Sequence, residues 1–169
     1  MVQIRDAHLG DLPALLDIYN EAIRTLTATF DLEEQTLAQR KKWFEKYGGA
    51  FPLIVAEVDG KAAGYGSLSP FRDKEAYART TEVSLYISSE FRGRGIGKKL
   101  MKEILQRARD LDYHTVIGSI TGGNESSVSL HKSFGFEFAG CLKEVGFKFG
   151  QWQDVHYYQL ILDKEKTKG

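Results

Sequence analysis

The chain has 169 residues, of which 23 are Lys or Arg, 23 are Asp or Glu and one is Cys. A domain typically holds about 100–200 residues, so we expect one domain over residues 1–169. The formal net charge of zero argues against a protein that coats nucleic acid or an anionic membrane. The lone Cys141 excludes an internal disulfide and a paired-cysteine zinc site, and we expect no metal.

No apolar run approaches the roughly 20 residues that a membrane helix needs, and the first residues lack the apolar core of a signal peptide. We therefore expect a soluble, cytoplasmic protein that does not enter a membrane. The tail from residue 163 is polar and is expected to fray.

Apolar spacing predicts a strand and two helices in the first part of the chain. Residues 2–4 alternate between apolar and polar, as in a short strand, and residues 12–26 carry apolar side chains at helical spacing. A second helix is expected from Thr36, which forms a capping-box pattern with Gln39, and it should end at the glycines of positions 48–49.

A hairpin follows. Leu53–Val58 and residues 62–68 flank Asp59 and Gly60, a dipeptide typical of tight turns between two strands. The charged stretch 71–77 then predicts a surface connection.

The remaining patterns predict a strand over 81–87, an amphipathic helix over 96–111, a strand over 115–120, a helix over 124–134, and strands over 138–144 and 155–162. Helices between the later strands imply some parallel pairing, whereas the hairpin is antiparallel. We therefore predict an α/β fold of the mixed α+β kind, with a central mixed, mostly antiparallel sheet and helices on both faces.

The segment between the predicted strand 81–87 and helix 96–111 is the strongest functional signal. Residues 92–97 read RGRGIG, and Lys98 and Lys99 follow. Alternate glycines leave backbone N–H groups accessible, and the positive end of the helix dipole points at the loop. This pattern predicts a site for an anion, most simply phosphate. A flexible loop with a solvated basic cluster is the alternative.

Two common phosphate motifs fail here. A P-loop needs Gly where Arg92 stands and Ser or Thr where Lys99 stands. A dinucleotide fingerprint that starts at Gly93 would end at Lys98, and one that starts at Gly95 would end at Leu100, instead of at glycine.

The loop resembles the acetyl-CoA pyrophosphate loop of the GCN5-related N-acetyltransferases (GNAT), Arg/Gln-x-x-Gly-x-Gly/Ala, with Arg92, Gly95 and Gly97 in the defined places. Downstream, an Asn before a helix that ends in Gly-Phe is similar to a later motif of that family, and here it begins at Asn124. This resemblance implies the GNAT fold and acetyl-CoA as co-substrate.

Further motifs resemble the phosphinothricin/methionine sulfone acetyltransferase-like branch. They are Tyr19-Asn20, Ala28-Thr29-Phe30, Ser69-Pro70-Phe71-Arg72, Glu82-x-Ser84-x-Tyr86, Leu130-His131, and Gly146-x-Lys148-x-Gly150-x-Trp152-x-Asp154. The resemblance covers nearly the whole chain. It implies a small amino acid-like amine as substrate and a homodimer with a contact near the last of these motifs.

The resemblance implies cofactor contacts on the strand, in the loop and around the later helix. They are Leu85, Tyr86, Ile87, Arg92, Gly93, Arg94, Gly95, Ile96, Gly97, Lys98, Asn124 and Ser133. For Asn124, a plain helix N-cap is an equal and compatible interpretation.

Amine acetylation needs a base, because most amines are protonated near neutral pH. Glu82 is the candidate, since it shares its strand face with the polar Ser84 and Tyr86; a surface glutamate is the alternative. His131 is the candidate acid for the thiolate, and a hydrogen-bonded packing residue of its helix is the strong alternative. Tyr86 is a weaker candidate for the same role.

Arg72 and Arg79 flank the connection before the Glu82 strand and are candidate partners for a substrate carboxylate, which Arg binds in bidentate fashion. Phe30 is a candidate pocket wall, and Glu82 also belongs to the substrate site. Solvent exposure of both arginines and a core position for Phe30 are the alternatives.

The sequence thus predicts an N-acetyltransferase that transfers the acetyl group of acetyl-CoA directly to a phosphinothricin-, methionine sulfone- or methionine sulfoximine-type amine. Acetylation of protein N-termini, lysine or polyamines, and a non-catalytic acyl-CoA-binding module, are the alternatives.

Overall fold

A computed structural model describes residues 1–162, so the predicted frayed tail lies outside the described residues. Within this range, four α-helices and seven strands follow one another in the predicted order: β1 (Val2–Asp6), α1 (Leu12–Thr25), α2 (Leu37–Phe44), β2 (Leu53–Val58), β3 (Lys61–Pro70), β4 (Thr80–Ile87), α3 (Ile96–Asp110), β5 (Thr115–Thr121), α4 (Glu125–Ser133), β6 (Glu137–Lys148) and β7 (Gln151–Ile161).

The strands form one sheet in the order β1-β2-β3-β4-β5-β7-β6. Among the strands of the described residues, only β4 and β5 pair in parallel, and every other neighbouring pair is antiparallel. The α1 and α2 helices cover one face, while α3 and α4 pack on the other. The predicted mixed, mostly antiparallel sheet with helices on both faces is therefore confirmed.

The alternation of β4 divides its side chains between two cores. Val83 belongs to the larger core beneath α3, whereas Tyr86 packs against the smaller core beneath α1 and α2. The predicted hairpin turn is also present, since Asp59 and Gly60 have φ values of 49° and 81°. Such positive values suit Asp-Gly in a tight turn.

The predicted end of α2 was wrong by about one turn. The helix ends at Phe44, before the glycines, because the chain tightens there: the N–H groups of Lys46 and Tyr47 bond to the carbonyls three residues back. Such short-range bonds commonly close a helix.

The last two strands are longer than predicted. The chain turns at Phe149 and Gly150, which have φ values of 55° and 73°. Irregular pairing between Leu142 and Gly146, with Glu144 at a φ of 52°, breaks the alternation of β6. A bulge of this kind hides a strand from a period-two pattern. Over residues 1–162, no helix is both long and apolar enough to cross a membrane.

Candidate active site

The two central strands pair over three residues and then separate. Their parallel register runs from Thr80 with Thr115 to Glu82 with Ile117, and beyond that point β4 and β5 continue without pairing to each other. The edge of β4 that faces β5 therefore carries backbone groups without a strand partner beyond Glu82. Such groups are available to a ligand that lies between the strands.

A cavity of about 640 Å³ lies where the two strands separate. Its walls come from residues 83–87 of β4, residues 119–124 at the end of β5, the loop after α1, the start of α3 and one side of α4. A volume of this size suits a small-molecule or cofactor site.

The predicted anion loop lies at the cavity. Gly93 and Gly95 have φ values of 76° and 77°, a backbone conformation that glycine adopts without strain. Within residues 1–162, no group accepts a hydrogen bond from the N–H groups of residues 92–98. Free N–H groups at the start of a 15-residue helix are available to bind an anion.

Glu21 of α1 supports this loop. Its carboxylate accepts bonds of 2.8 Å from the backbone N–H and the hydroxyl of Ser89, and it lies 3.5 Å from the Arg92 guanidinium. Burial alone would raise the pKa of Glu21, but these bonds and the Arg92 charge outweigh burial and lower it. The sequence did not identify this contact, because Glu21 looks like any polar residue of an amphipathic helix.

Most of the predicted cofactor contacts line the cavity. Those that do are Leu85, Tyr86, Ile87, Arg92, Gly93, Gly95, Ile96, Gly97 and Asn124. Arg94 instead lies 5.2 Å over the ring of Phe91, and Lys98 is exposed on the first turn of α3. Ser133 is also outside the cavity wall, and its hydroxyl donates to the Leu130 carbonyl at 2.7 Å.

Asn124 combines the two roles that the sequence left open. Its side-chain oxygen accepts from the Ser127 N–H at 3.3 Å, as in a helix N-cap, and the residue also lines the cavity.

Glu82 is half-buried at the point where the strands separate, next to the cavity wall that begins at Val83. Among the described residues its carboxylate has no hydrogen-bond or ion-pair partner. Glu82 itself is not among the residues that line the cavity, and an unpaired carboxylate beside the cavity wall is free to accept a proton.

Tyr86 lines the cavity, where its hydroxyl donates to the Ala28 carbonyl at 3.4 Å. Its ring stacks on Tyr65, with centroids 5.4 Å apart. Burial raises the pKa of Tyr86, so the hydroxyl holds its proton and is better suited to donate a hydrogen bond than to give the proton up.

His131 is buried, and its Nδ1 lies 2.7 Å from the Ser127 carbonyl. A carbonyl oxygen only accepts, so Nδ1 carries the proton and Nε2 carries none. Burial lowers the pKa of His131, which keeps the ring neutral. The ring packs over Gly118, where a Cβ would lie 2.7 Å from Nε2. This arrangement favours the packing role over the predicted acid role.

The predicted substrate residues lie outside the cavity wall. Arg72 is exposed over the ring of Phe71, and the exposed Arg79 donates to the Asp112 carbonyl at 3.1 Å. Phe30 is 37% exposed and packs over Gly146, so it belongs to neither the main core nor the cavity wall.

The sequence did not indicate a role for Arg40. It is 2% exposed, donates to the Tyr65 hydroxyl at 2.6 Å and lies 3.3 Å from the ring centroid of Trp43. Its Nε has no hydrogen-bond partner among residues 1–162. The sequence did carry a signal for the burial of this side chain, because position 40 lies on the same helical stripe as the aromatic residues at positions 43, 44 and 47. Arg40 supports Tyr65, and through it the Tyr86 wall.

Cys141, Asp154 and His156 place possible metal-ligand atoms within 4.8 Å of one another on the β6–β7 hairpin. None of them lines the cavity. The expectation that the protein needs no metal stays a prediction.

Comparison with known proteins shows which family shares this sequence and this fold. The model of the Acetyltransferase (GNAT) family matches residues 15–136. The L-methionine sulfoximine/L-methionine sulfone acetyltransferase of Pseudomonas paraeruginosa is 37% identical over 166 residues, which cover 97% of this chain and 96% of that protein.

Two solved structures extend the comparison. A phosphinothricin acetyltransferase from Sinorhizobium meliloti in complex with AcCoA is 35% identical, with a TM-score of 0.93 and coverage of 99% and 92% of the two chains. A structure described as ribosomal-protein-alanine N-acetyltransferase from Brucella melitensis is 43% identical, with a TM-score of 0.92 and coverage of 95% and 99%.

A parallel strand pair that separates beside an anion loop, in a fold shared with an acetyl-CoA complex, defines an N-acyltransferase that uses a CoA thioester. Within that class, this chain belongs to the Acetyltransferase (GNAT) family.

Proposed function

We propose that the protein acetylates the amine of a small amino acid-like acceptor, of the methionine sulfone, methionine sulfoximine or phosphinothricin type. The observation that carries the proposal is the unpaired Glu82 carboxylate at the point where β4 and β5 separate, because it gives a CoA-thioester cleft a base. The names of the relatives from P. paraeruginosa and S. meliloti support the acceptor class.

The cleft fits acetyl-CoA. The free N–H groups of residues 92–98 and the Arg92 guanidinium would hold its diphosphate, and the unpaired edge of β4 would hold its pantetheine arm. When bound, acetyl-CoA supplies the acetyl group and a thiol leaving group. Backbone N–H groups of β4 beyond Glu82 would polarise the thioester carbonyl.

Glu82 accepts a proton from the ammonium form of the acceptor, directly or through water, which leaves the nitrogen lone pair free to attack. Transfer occurs in a ternary complex, because Cys141 lies outside the cavity wall and cannot carry the acetyl group there. We assign no acid to His131, since its Nε2 carries no proton.

A second acceptor class is favoured by one observation, the similarity to the ribosomal-protein-alanine N-acetyltransferase structure from B. melitensis, which is 43% identical. That name gives the alanine of a ribosomal protein as the acceptor. The two classes differ in size, since a protein N-terminus needs an open path for a chain whereas a free amino acid does not.

We also propose a homodimer through the β6–β7 hairpin. β6 is an edge strand of the sheet, and the hairpin exposes about half or more of six large apolar side chains, Phe138, Leu142, Val145, Phe147, Phe149 and Trp152. An exposed apolar edge of this kind marks a protein contact. A second copy is the partner that fits a chain of zero net charge, because two copies do not repel each other.

The acceptor proposal is tested by thiol release from acetyl-CoA with a panel of amines: L-methionine sulfone, phosphinothricin, an Ala-initiated peptide and spermidine. We expect release with the first two. Absence of release above the rate without amine for both would overturn the acceptor proposal, and calorimetric binding of acetyl-CoA without release for any amine would indicate a binding module.

A further inference from the structure

Lys148 is a buried lysine that contacts the loop after α1. It is 3% exposed, and its Nζ donates to the carbonyl oxygens of Leu26 and Thr29 at 2.7 and 2.8 Å. No carboxylate among the described residues lies within ion-pair distance of it. A buried ammonium group is costly, so the two carbonyls it binds are held firmly.

The carbonyls of Thr27 and Ala28, which lie between those of Leu26 and Thr29, are also bound by side chains. The Thr27 carbonyl accepts from the Thr121 hydroxyl at 2.7 Å, and the Ala28 carbonyl accepts from the Tyr86 hydroxyl at 3.4 Å. Tyr86 belongs to β4 and Thr121 to β5, so residues 26–30, which we call the roof loop, bridge the two separated strands.

The N–H groups of the roof loop remain available. Over residues 1–162, nothing accepts a hydrogen bond from the N–H groups of Thr27, Ala28, Thr29 or Phe30. Thr27 and Ala28 line the cavity. Unpaired donors beside a cavity are satisfied by a ligand oxygen or by water.

We propose that Lys148 is a positioning residue, which holds the roof loop so that its backbone N–H groups bind an oxygen-bearing group of the amine acceptor. This inference rests on the proposed function for the identity of the acceptor. The positive charge of Lys148 behind the loop favours a negatively charged or strongly polar oxygen.

A methionine sulfone-type acceptor offers two such groups, its carboxylate and its side-chain sulfone. Both are oxygen acceptors, and the same donors suit either. The acceptor series below separates them: L-methionine sulfone has both groups, its carboxamide lacks the carboxylate, and L-methionine lacks the sulfone.

The test compares Lys148→Met with Lys148→Arg and with Lys102→Met, an exposed lysine of α3 that serves as the matched control. For Lys148→Met we expect the KM for L-methionine sulfone to rise about tenfold or more, with a smaller change in kcat, because the loss falls on acceptor binding. Lys148→Arg should recover part of the loss, and the Kd for acetyl-CoA should stay within about twofold.

The acceptor series then identifies the oxygen. In the wild type, kcat/KM should be lower than for L-methionine sulfone with the analogue that lacks the group bound by the loop, either the carboxamide or L-methionine. In Lys148→Met this difference in kcat/KM should shrink. Undiminished discrimination against both, or a wild-type KM in Lys148→Met, would overturn the proposal. A fall in Tm with unchanged KM would show a purely structural role and would overturn it too.

A readout that does not need turnover separates this proposal from the proposed function. Amide NMR signals of Thr27 and Ala28, which line the cavity, should shift when L-methionine sulfone is added to the CoA-bound protein, and in Lys148→Met the same shifts should need about tenfold more of it. Shifts without thiol release would support the roof loop and contradict the proposed function. Absence of shifts in the wild type would overturn the roof-loop proposal.

Discussion

Glu82 and Ile117 are the last residues that β4 and β5 pair in parallel, and the cavity begins directly beyond them. The same residue that ends the strand pairing therefore carries the unpaired carboxylate. A base at this place lies directly before the first β4 residue of the cavity wall, next to the gap between the strands that a CoA thioester would occupy.

Replacement of Glu82 by Gln should remove the base without removing the cleft. We expect kcat to fall about 10²–10⁴-fold, the contribution typical of a general base. The Kd for acetyl-CoA should not change. Initial rates between pH 6 and 9 and calorimetry measure the two quantities, and Glu45→Gln, on an exposed residue after α2, is the control. Full kcat in Glu82→Gln across this range would contradict the assignment.

His131 should be replaceable without loss of the chemical step. We expect His131→Leu to keep kcat within about tenfold of the wild type, because a neutral ring with no proton on Nε2 is not an acid. A fall of kcat beyond about 100-fold, with acetyl-CoA binding intact, would restore the acid role.

His131 should also make the stability depend on pH. Its pKa is lowered on folding from 6.5, so below that value the unfolded state binds more protons than the folded state. The free energy of unfolding should therefore fall as the pH drops through 6.5. Urea unfolding at pH 7.5 and 5 should show that the stability advantage of the wild type over His131→Leu shrinks at the lower pH. A constant difference would show that the ring titrates alike in both states.

Arg92 should act on the diphosphate of the co-substrate. We expect Arg92→Gln to weaken acetyl-CoA about 5- to 100-fold, as for the loss of one charge-assisted contact. Acetyl-pantetheine, which lacks the diphosphate, should bind the variant and the wild type alike. Calorimetry with both ligands checks this, and an equal loss for both would place the effect in the loop structure, where Glu21 contacts Arg92.

The β6–β7 hairpin should hold two copies together. Replacement of Phe147 and Trp152, which contact each other with ring centroids 5.2 Å apart, by Ser should shift sedimentation towards the monomer. Arg109→Ser, on α3, is a control away from the hairpin. A wild type that sediments as a monomer at micromolar concentration would contradict the dimer.

The sequence predicted the order of the elements because strong signals mark them. The stripe of α3, the Thr36–Gln39 capping box and the Asp59–Gly60 turn are local, and the structure confirms each one. The extent of β6 could not be predicted, since the bulge near Glu144 depends on pairing with β7.

The anion loop was predictable for the same reason, because its glycines and arginines are adjacent in the chain. The roof loop was not, since its carbonyls are bound by Tyr86, Thr121 and Lys148 from three different strands. Arg72 and Arg79 were predicted from the chemistry of their side chains and from their distance along the chain from Glu82. Neither criterion indicates whether a side chain reaches the cavity.

Competition among acceptors in one reaction measures the acceptor preference of the protein. Wild-type protein with acetyl-CoA receives equal concentrations of L-methionine sulfone, phosphinothricin, an Ala-initiated peptide and spermidine, and mass spectrometry quantifies each acetylated product. The proposed function predicts that the two amino acid-like products dominate, by about 100-fold or more over spermidine, since kcat/KM ratios alone decide the outcome. Predominance of acetylated peptide or acetylated spermidine would contradict it.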